Sequence, residues 1–427
     1  MTAAQAPDTK AAVRTPVRIT WLPAAAVLLG NGWGSNQFTP MLLVYRHTLG
    51  LGTGTLEAMF GLYALGLIPG LLLAGPLSDA RGRRTLVVPA AALSLVASLV
   101  LAAAGHSAGL AVELLFAGRL LAGVSNGAIF AAGTAWLREL SSPPLGTASV
   151  HTPARRAAIA MTTGFALGPL VAGVLAQWAP EPAVTPYLPH IALMAVVLVL
   201  LRHGAETVPG GAAGTQSRGV RLSVPGARSA RFRWVVAPMA PWVFAAPAVA
   251  FALLPSVVGA DHAVNGIELT AAITALCALA GVLIQPLARR LDARTGRNRA
   301  AVTGLLVLAA GLVLAAITAR DQQTWLLVPC SIVLGSAYGL CLVAGLVEIQ
   351  RLAGHRAQAS LTAAYYALTY LGFAVPYLLA LAAHLVSYAP LLIITAALAL
   401  GTAAVVTRQS AHRSGQLNPP HTDGEQP

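Results

Sequence analysis

The chain has 427 residues, 56% of them hydrophobic and only 10% charged, with a formal net charge of +13. Soluble proteins carry about 25% charged residues. The shortfall excludes an ordinary water-soluble domain and points to a bilayer as solvent, where a helix needs about 20 mostly apolar residues to cross. The positive charge does not signal nucleic acid, because no compact basic domain is present to make phosphate contacts.

Twelve apolar runs follow one another, roughly at 20–45, 55–77, 85–104, 109–135, 157–178, 187–202, 233–257, 269–288, 300–318, 324–347, 358–382 and 387–407. They predict helices, because irregular backbone facing lipid would leave its polar groups unpaired. With the amino terminus placed inside, the 27 Lys and Arg fall in cytoplasmic segments except for Arg46 and Arg320 in outer loops and Arg119 within a span. That is the bias that sets membrane topology, and it puts both termini on the cytoplasmic side of the cell membrane. The chain divides into a segment 1–19, six spans over 20–202, a polar linker 203–232, six spans over 233–408, and a polar tail 409–427 expected to be disordered. The run after Arg14 and Arg18 is too long for a signal peptide and is read as a retained span.

In the first span Trp33, Asn36, Gln37 and Pro40 share one stripe. Amides beside an indole suit ligand binding, and equally suit gluing the span to its neighbours. Between the second and third spans lies Gly75-Pro76-Leu77-Ser78-Asp79-Ala80-Arg81-Gly82-Arg83-Arg84. Gly75 and Gly82 remove side chains where the helix must pack closely and where the turn must reverse. Asp79 carries charge that suits the amino end of a neighbouring helix.

Arg119 is the charge deep inside the fourth span, where an arginine costs about 2.5–3.5 kcal/mol on insertion scales. It shares a stripe with Gly123, Asn126 and Phe130. Either it binds an anionic substrate or tunes a proton-carrying carboxylate, or it donates to backbone carbonyls of the first span and holds the bundle. In the fifth span Gly164, Gly168 and Gly173 allow close packing against the eighth, and Pro169 bends the helix. Trp242 in the seventh span lies among Pro238, Pro241, Pro247 and Pro255, which predict a bent or locally broken helix. Ser331, Gly335 and Tyr338 in the tenth mirror Arg119, Gly123 and Asn126. Tyr365, Tyr366 and Tyr370 in the eleventh read as packing groups. Cys277, Cys330 and Cys341 fall inside spans and read as small packing residues, neither disulfides nor metal ligands.

The halves repeat. Asp79 recurs as Asp292, Gly123-x3-Gly127 as Gly335-x3-Gly339, and Gly164-Phe165-Ala166 as Gly372-Phe373-Ala374; the offsets are 292 − 79 = 213, 335 − 123 = 212 and 372 − 164 = 208. Three agreeing offsets in chain order argue for duplication of a six-helix unit. The sole lysine is Lys10, so the phosphate-binding G-x-x-x-x-G-K-[ST] loop cannot occur. Candidate proton carriers are Glu57 and Glu113, near the outer ends of the second and fourth spans.

The run Gly75–Arg84 resembles the signature loop between helices 2 and 3 of the major facilitator superfamily. Arg119-Leu120-Leu121-Ala122-Gly123 resembles the family's R-x-x-x-G element in helix 4. Gly164–Gly173 resembles its Gly-Pro element in helix 5, usual in proton-coupled exporters, with Ala172 where a second glycine is commoner. The resemblance covers the whole membrane region. It implies an all-α membrane protein with 12 transmembrane helices in two pseudo-symmetric six-helix bundles and substrate held between them.

The resemblance further implies a central cavity drawing on Trp33, Asn36, Gln37, Arg119, Asn126, Trp242 and Tyr338. It implies a conformational gate of Gly75, Asp79, Arg81, Gly82 and Arg83, with Asp79 latched to the amino end of helix 11 near Gln358, and a weaker counterpart at Asp292. Gly164, Gly168, Pro169 and Gly173 would shape the transition. The implied function is secondary transport of a small organic molecule, by proton-coupled export. Symport or facilitated uptake is the alternative, and a membrane enzyme or receptor the remote one. The energy source would be a proton gradient, without cofactor, metal or ATP. The expected partners are the substrate and lipid, for a protein acting as a monomer. Cation exporters of the family carry an acid in helix 1; amides there leave neutral or anionic substrates open.

Overall fold

The computed structural model describes residues 20–107, 109–146, 152–208, 226–259, 266–293, 298–352 and 358–414. Lys10, Arg14, Arg18 and most of the linker lie outside the described residues, as do the side chains of Asp292 and Gln358.

The first apolar run is two helices, not one: α1, Leu22–Asn36, and α2, Met41–Leu49. Pro40 lacks an N–H and cannot continue α1. Tighter turns bridge the gap, with Thr39 N donating to Asn36 O and Met41 N to Phe38 O. Then follow α3, Thr53–Arg81, and α4, Arg83–Ala103. Helix α5, Ala111–Ala128, continues through a π-helical turn, Ile129–Gly133, into α6, Thr134–Ser141. Helices α7, Thr152–Trp178, and α8, Leu188–Leu201, complete the first half.

In the second half α9, Ala237–Ala248, sits between π-helical turns Phe232–Val236 and Val249–Leu253 and leads into α10, Leu254–Val257. The expected proline-driven break takes that form, since π turns accommodate carbonyls that prolines leave free. Helices α11, Gly266–Leu283, α12, Gln285–Ala293, α13, Arg299–Asp321, and α14, Leu327–Leu352, follow. Helix α15, Gln358–Tyr370, passes through a short 3₁₀ turn at Leu371–Phe373 into α16, Ala374–Ala382. The last helix, α17, spans Tyr388–Ser414, so the tail expected to be disordered from Gln409 begins as helix. Ten helices among the described residues are long and apolar enough to cross a membrane, and Thr185–Leu201 is a shorter apolar one.

Glycines set the closest helix contacts. A Cβ on Gly123 of α5 would strike the Tyr63 carbonyl of α3, and one on Gly335 of α14 would strike the Cys277 carbonyl of α11. Likewise Gly164 of α7 abuts Leu29 O of α1, and Gly372 abuts Pro241 O of α9. The contacts recur in each half at the offsets seen in the sequence, because small residues let backbones approach where side chains would hold them apart. Gly75 differs from expectation: nothing lies near where its Cβ would be, so it is not a packing glycine. Only Gly173 of the α7 glycines meets α11, at Ala271; Gly164 and Gly168 pack on α1 instead. The halves also touch through α3 against α15 and α16, and α2 against α11.

Candidate functional site

A cavity lies between the halves, lined by Ser35, Asn36, Tyr63, Phe165, Phe244, Pro247, Phe251, Ala278, Tyr338, Tyr370 and Phe373. Its volume is about 50 Å³, room for on the order of four waters. One pole is polar. Ser35 Oγ donates to Asn31 O at 2.8 Å and accepts from Tyr63 OH at 3.0 Å and Asn126 Nδ2 at 3.1 Å. Asn126 Nδ2 also donates to Tyr63 OH at 3.1 Å, while Asn126 Oδ1 is buried with no hydrogen-bond partner. The other walls are aromatic: Phe244 stacks on Tyr370 at 4.5 Å and on Tyr338 at 5.6 Å between ring centroids.

Of the residues expected in the cavity, Asn36 and Tyr338 line it and Asn126 reaches it through Ser35 and Tyr63. Trp33, Gln37, Arg119 and Trp242 are not among its lining residues. Gln37 is buried and donates to Ser98 Oγ at 3.2 Å, within a chain that joins Ser98 to His190 Nδ1 at 2.8 Å and His190 Nε2 to Gly30 O at 3.1 Å. It therefore ties α1 to α4 and α8. Trp242 Nε1 donates to Thr402 Oγ1 of α17 at 3.0 Å. The Trp33 backbone abuts Gly164 and Gly168, and its buried Nε1 has no partner.

Arg119 is also not a cavity wall. It is 1% exposed and donates weakly, at 3.4 Å, to Met59 O and Phe60 O of α3. Its carbonyl acceptors are thus on α3 and not on the first span, which it meets instead through the Phe38 ring. Its guanidinium lies 4.4 Å from the Phe38 ring centroid and 4.6 Å from that of Tyr63. Ring faces take part of the place of a counter-ion, since their quadrupole is negative. Its titratable neighbours are Tyr63, Tyr187 and Tyr45, so among the described residues no carboxylate pairs with it.

Aromatic contacts join the two halves toward both ends of the bundle. Phe130 meets Tyr366 edge-on at 4.9 Å toward the end carrying the 81–83 turn. Phe60 meets Phe373 at 5.0 Å and Phe251 at 6.1 Å toward the opposite end. At that opposite end Arg46 Nη1 donates to Ser256 O at 2.9 Å, bridging α2 to α10. Glu57 of α3 is 0% exposed there, with neither carboxyl oxygen hydrogen-bonded. Tyr388 of α17, which interacts electrostatically with Glu57, bonds Thr53. Glu113, the other candidate carrier, is exposed.

At the turn end, Gly82 takes a φ of 114°, which favours glycine, and lets α3 reverse into α4. Asp79, whose side chain is 62% exposed, pairs with Arg83 of the next turn. Arg83 Nε also donates to Glu139 Oε1 at 3.1 Å and Nη1 to Ser78 Oγ at 2.7 Å, tying α3 to α6. Arg84 donates to Leu201 O at 3.0 Å and Arg202 O at 3.1 Å, at the end of α8. Arg81 is exposed.

The carboxylate at a helix amino end is Glu206, which accepts from the backbone N–H of Arg83 at 2.8 Å and Thr85 at 3.1 Å at the start of α4. Partial burial acts to raise its pKa. Hydrogen bonds from the backbone of Thr85, Val208, Thr207 and Arg83 outweigh that and hold it below the usual 4.5.

Sequence reasoning missed Tyr63, Ser35, Phe244, Phe373, Glu139 and Glu206. One signal was available. Glu57, Phe60, Tyr63 and Leu67 follow spacings of 3, 3 and 4 and are all buried, the inward stripe of α3. Among the described residues no group of three or more His, Cys, Asp or Glu is placed to hold a metal ion.

The fold matches solved transporters. A nucleoside transporter, NupG, superposes with a TM-score of 0.67 at 15% identity over 92% of this chain and 99% of that one. A POT family transporter in complex with 5-aminolevulinic acid gives 0.71 at 13% identity, covering 92% and 96%. A peptide transporter, POT, in complex with sulfate gives 0.70 at 14% identity, covering 93% and 95%. No curated protein sequence matches significantly. The model of the Major Facilitator Superfamily matches residues 24–377. With that match over most of its length, and helices that cross a membrane many times, the chain belongs to the Major Facilitator Superfamily of transporters.

Proposed function

We propose that the chain is a twelve-span secondary transporter of the cell membrane, with both termini cytoplasmic, that exports a small organic molecule by alternating access in exchange for protons. The spans divide into six-helix units over 20–202 and 233–408, and α1 with α2 counts as one interrupted span. The observation that carries proton coupling is Glu57. A charged carboxylate buried without a cation or a hydrogen bond is strongly disfavoured. The neutral acid therefore fits this conformation, and exposure of that end to water lets the proton leave. Export as the direction rests on the Gly164–Gly173 element.

The 81–83 turn is the cytoplasmic gate in this reading. The exposed Asp79 is free to exchange Arg83 for the amino end of α15, which packs against α3. Asp292 is the counterpart in the second half. The test is transport in oriented proteoliposomes with an imposed proton gradient. Export predicts substrate movement opposite to protons, abolished by an ionophore. Movement in the same direction as protons, or insensitivity to the gradient, overturns it.

A further inference from the structure

One buried charge in the first half meets no opposite charge among the described residues. We infer that the Arg119 guanidinium, with the hydroxyl pair of Tyr45 and Tyr187, forms a buried site for one small monovalent anion of the chloride class, separate from the substrate cavity.

The three nitrogens of Arg119 are not equally served. Nε and Nη2 donate at 3.4 Å to Met59 O and Phe60 O. The Phe38 and Tyr63 ring centroids lie 4.4 and 4.6 Å from Cζ. Nη1 is buried with no hydrogen-bond partner, although it carries two N–H groups. An unpaired donor away from water costs free energy, and a charged one costs more than a neutral one. Ring faces and neutral carbonyls spread the charge but do not cancel it.

The neighbouring polar groups are donors as well. The titratable neighbours of the guanidinium are Tyr63, Tyr187 and Tyr45. The Tyr45 ring of α2 lies 5.7 Å from that of Phe38. Its hydroxyl is 2.7 Å from that of Tyr187, in the 3₁₀ turn Thr185–Tyr187 before α8. Only one of the two protons fills that bond, so the other is left to donate. The Tyr63 hydroxyl, by contrast, is engaged with Ser35 and Asn126. A buried positive charge beside unused donors is best met by a negatively charged acceptor.

The setting fixes the kind of anion. One positive charge balances one negative charge, and a dianion would leave its excess buried and unpaired. Phe38, Tyr45, Tyr63 and Tyr187 are each 2% exposed or less. A compact, weakly hydrated ion is therefore favoured over an extended organic acid. Arg119, Phe38, Tyr45 and Tyr187 are not lining residues of the substrate cavity, so the anion is a resident of the first half and not the cargo. It ties together α2, α5 and the turn before α8.

The test is equilibrium dialysis of radiolabelled chloride against the purified full chain in nanodiscs of zwitterionic lipid, with gluconate holding the ionic strength constant. Saturable binding of one chloride per chain is expected, with a melting temperature that rises along the same curve. Bromide should displace it and sulfate should not. The paired change Tyr45→Phe with Tyr187→Phe keeps both rings and leaves neither hydroxyl orphaned, so the variant should fold. It is expected to bind chloride at least about tenfold more weakly, and Arg119→Leu to bind none. Absence of bound chloride in the wild type, displacement by sulfate, or a rise in melting temperature that gluconate matches overturns the inference. So does undiminished binding in the tyrosine variant, whether or not Arg119→Leu folds.

Discussion

The Arg119 guanidinium and the Tyr63 ring form a stacked pair 4.6 Å apart, and the hydroxyl of the same tyrosine donates to Ser35 at the cavity wall. One side chain thus connects a buried cation to the candidate substrate site. The arrangement explains how an arginine without a carboxylate persists inside a bundle: ring faces and two α3 carbonyls share its charge.

Arg119→Lys should therefore destabilise, because an ammonium cannot stack as a plane or donate in a fork. Loss of a desolvated cation–π contact is worth about 2 kcal/mol. Thermal unfolding in detergent checks this. Lysine is expected to fall between wild type and Arg119→Leu, and a lysine variant as stable as wild type would rule out the stacked role.

Two glycine substitutions should act in opposite directions. Gly123→Ala forces a methyl against the Tyr63 carbonyl, and overpacking of that kind costs about 1–3 kcal/mol. Gly75→Ala meets open space within α3, so helix propensity favours it by about 0.5–1 kcal/mol. Paired melting curves measure both; a destabilised Gly75→Ala would restore a packing role there.

Glu57→Gln should leave the melting temperature unchanged or raise it, because the amide is a neutral isostere of the buried acid. Flux driven by a proton gradient should fall about tenfold or more, while gradient-free exchange of substrate across the membrane survives. If driven flux is retained, the proton travels by another residue.

Glu206→Gln gives a pH signature. The folded-state pKa lies below the usual 4.5, so the stabilisation is present above about 4.5 and disappears as pH falls through the lower folded value. The variant should be less stable than wild type at neutral pH, by a small amount because the group is mostly solvated. The two melting temperatures should converge under acid. A gap that is constant down to low pH would mean that charge at the α4 amino end is not the cause.

Asp79→Asn tests the gate. Its pairing with Arg83 is exposed, so the cost in stability should stay below about 1 kcal/mol. Cysteine accessibility from the two sides is expected to shift in balance, with transport reduced; an unchanged balance with unchanged transport would exclude the latch.

Much of the architecture was legible in the sequence because a bilayer imposes it. Apolar length predicts spans, and the offsets of Gly123 and Gly335, and of Gly164 and Gly372, anticipated matching backbone contacts in the two halves. The break at Pro40 was less visible, since its neighbours remain apolar enough to look continuous.

The candidate site was harder to read. The stripe Arg119–Gly123–Asn126–Phe130 was evident, but not that Arg119 turns to α3 while Asn126 bonds the cavity residues Ser35 and Tyr63. Trp242 and Gln37 looked like cavity residues and are bonded to α17 and α4. In a membrane protein apolar and aromatic side chains face lipid and interior alike, so residue type does not reveal direction.

The turn between α3 and α4 shows both limits. Its glycine at position 82 was readable from the need to reverse the chain, and has the expected positive φ. The carboxylate at the helix amino end was not, because Glu206 arrives from more than a hundred residues away. Sequence alone determined the solvent, the helices and the repeat, which follow from local composition. Tertiary structure decided which tyrosine faces the cavity, which carboxyl stays unpaired and what shares the charge of Arg119, because those depend on distances between helices remote in the chain.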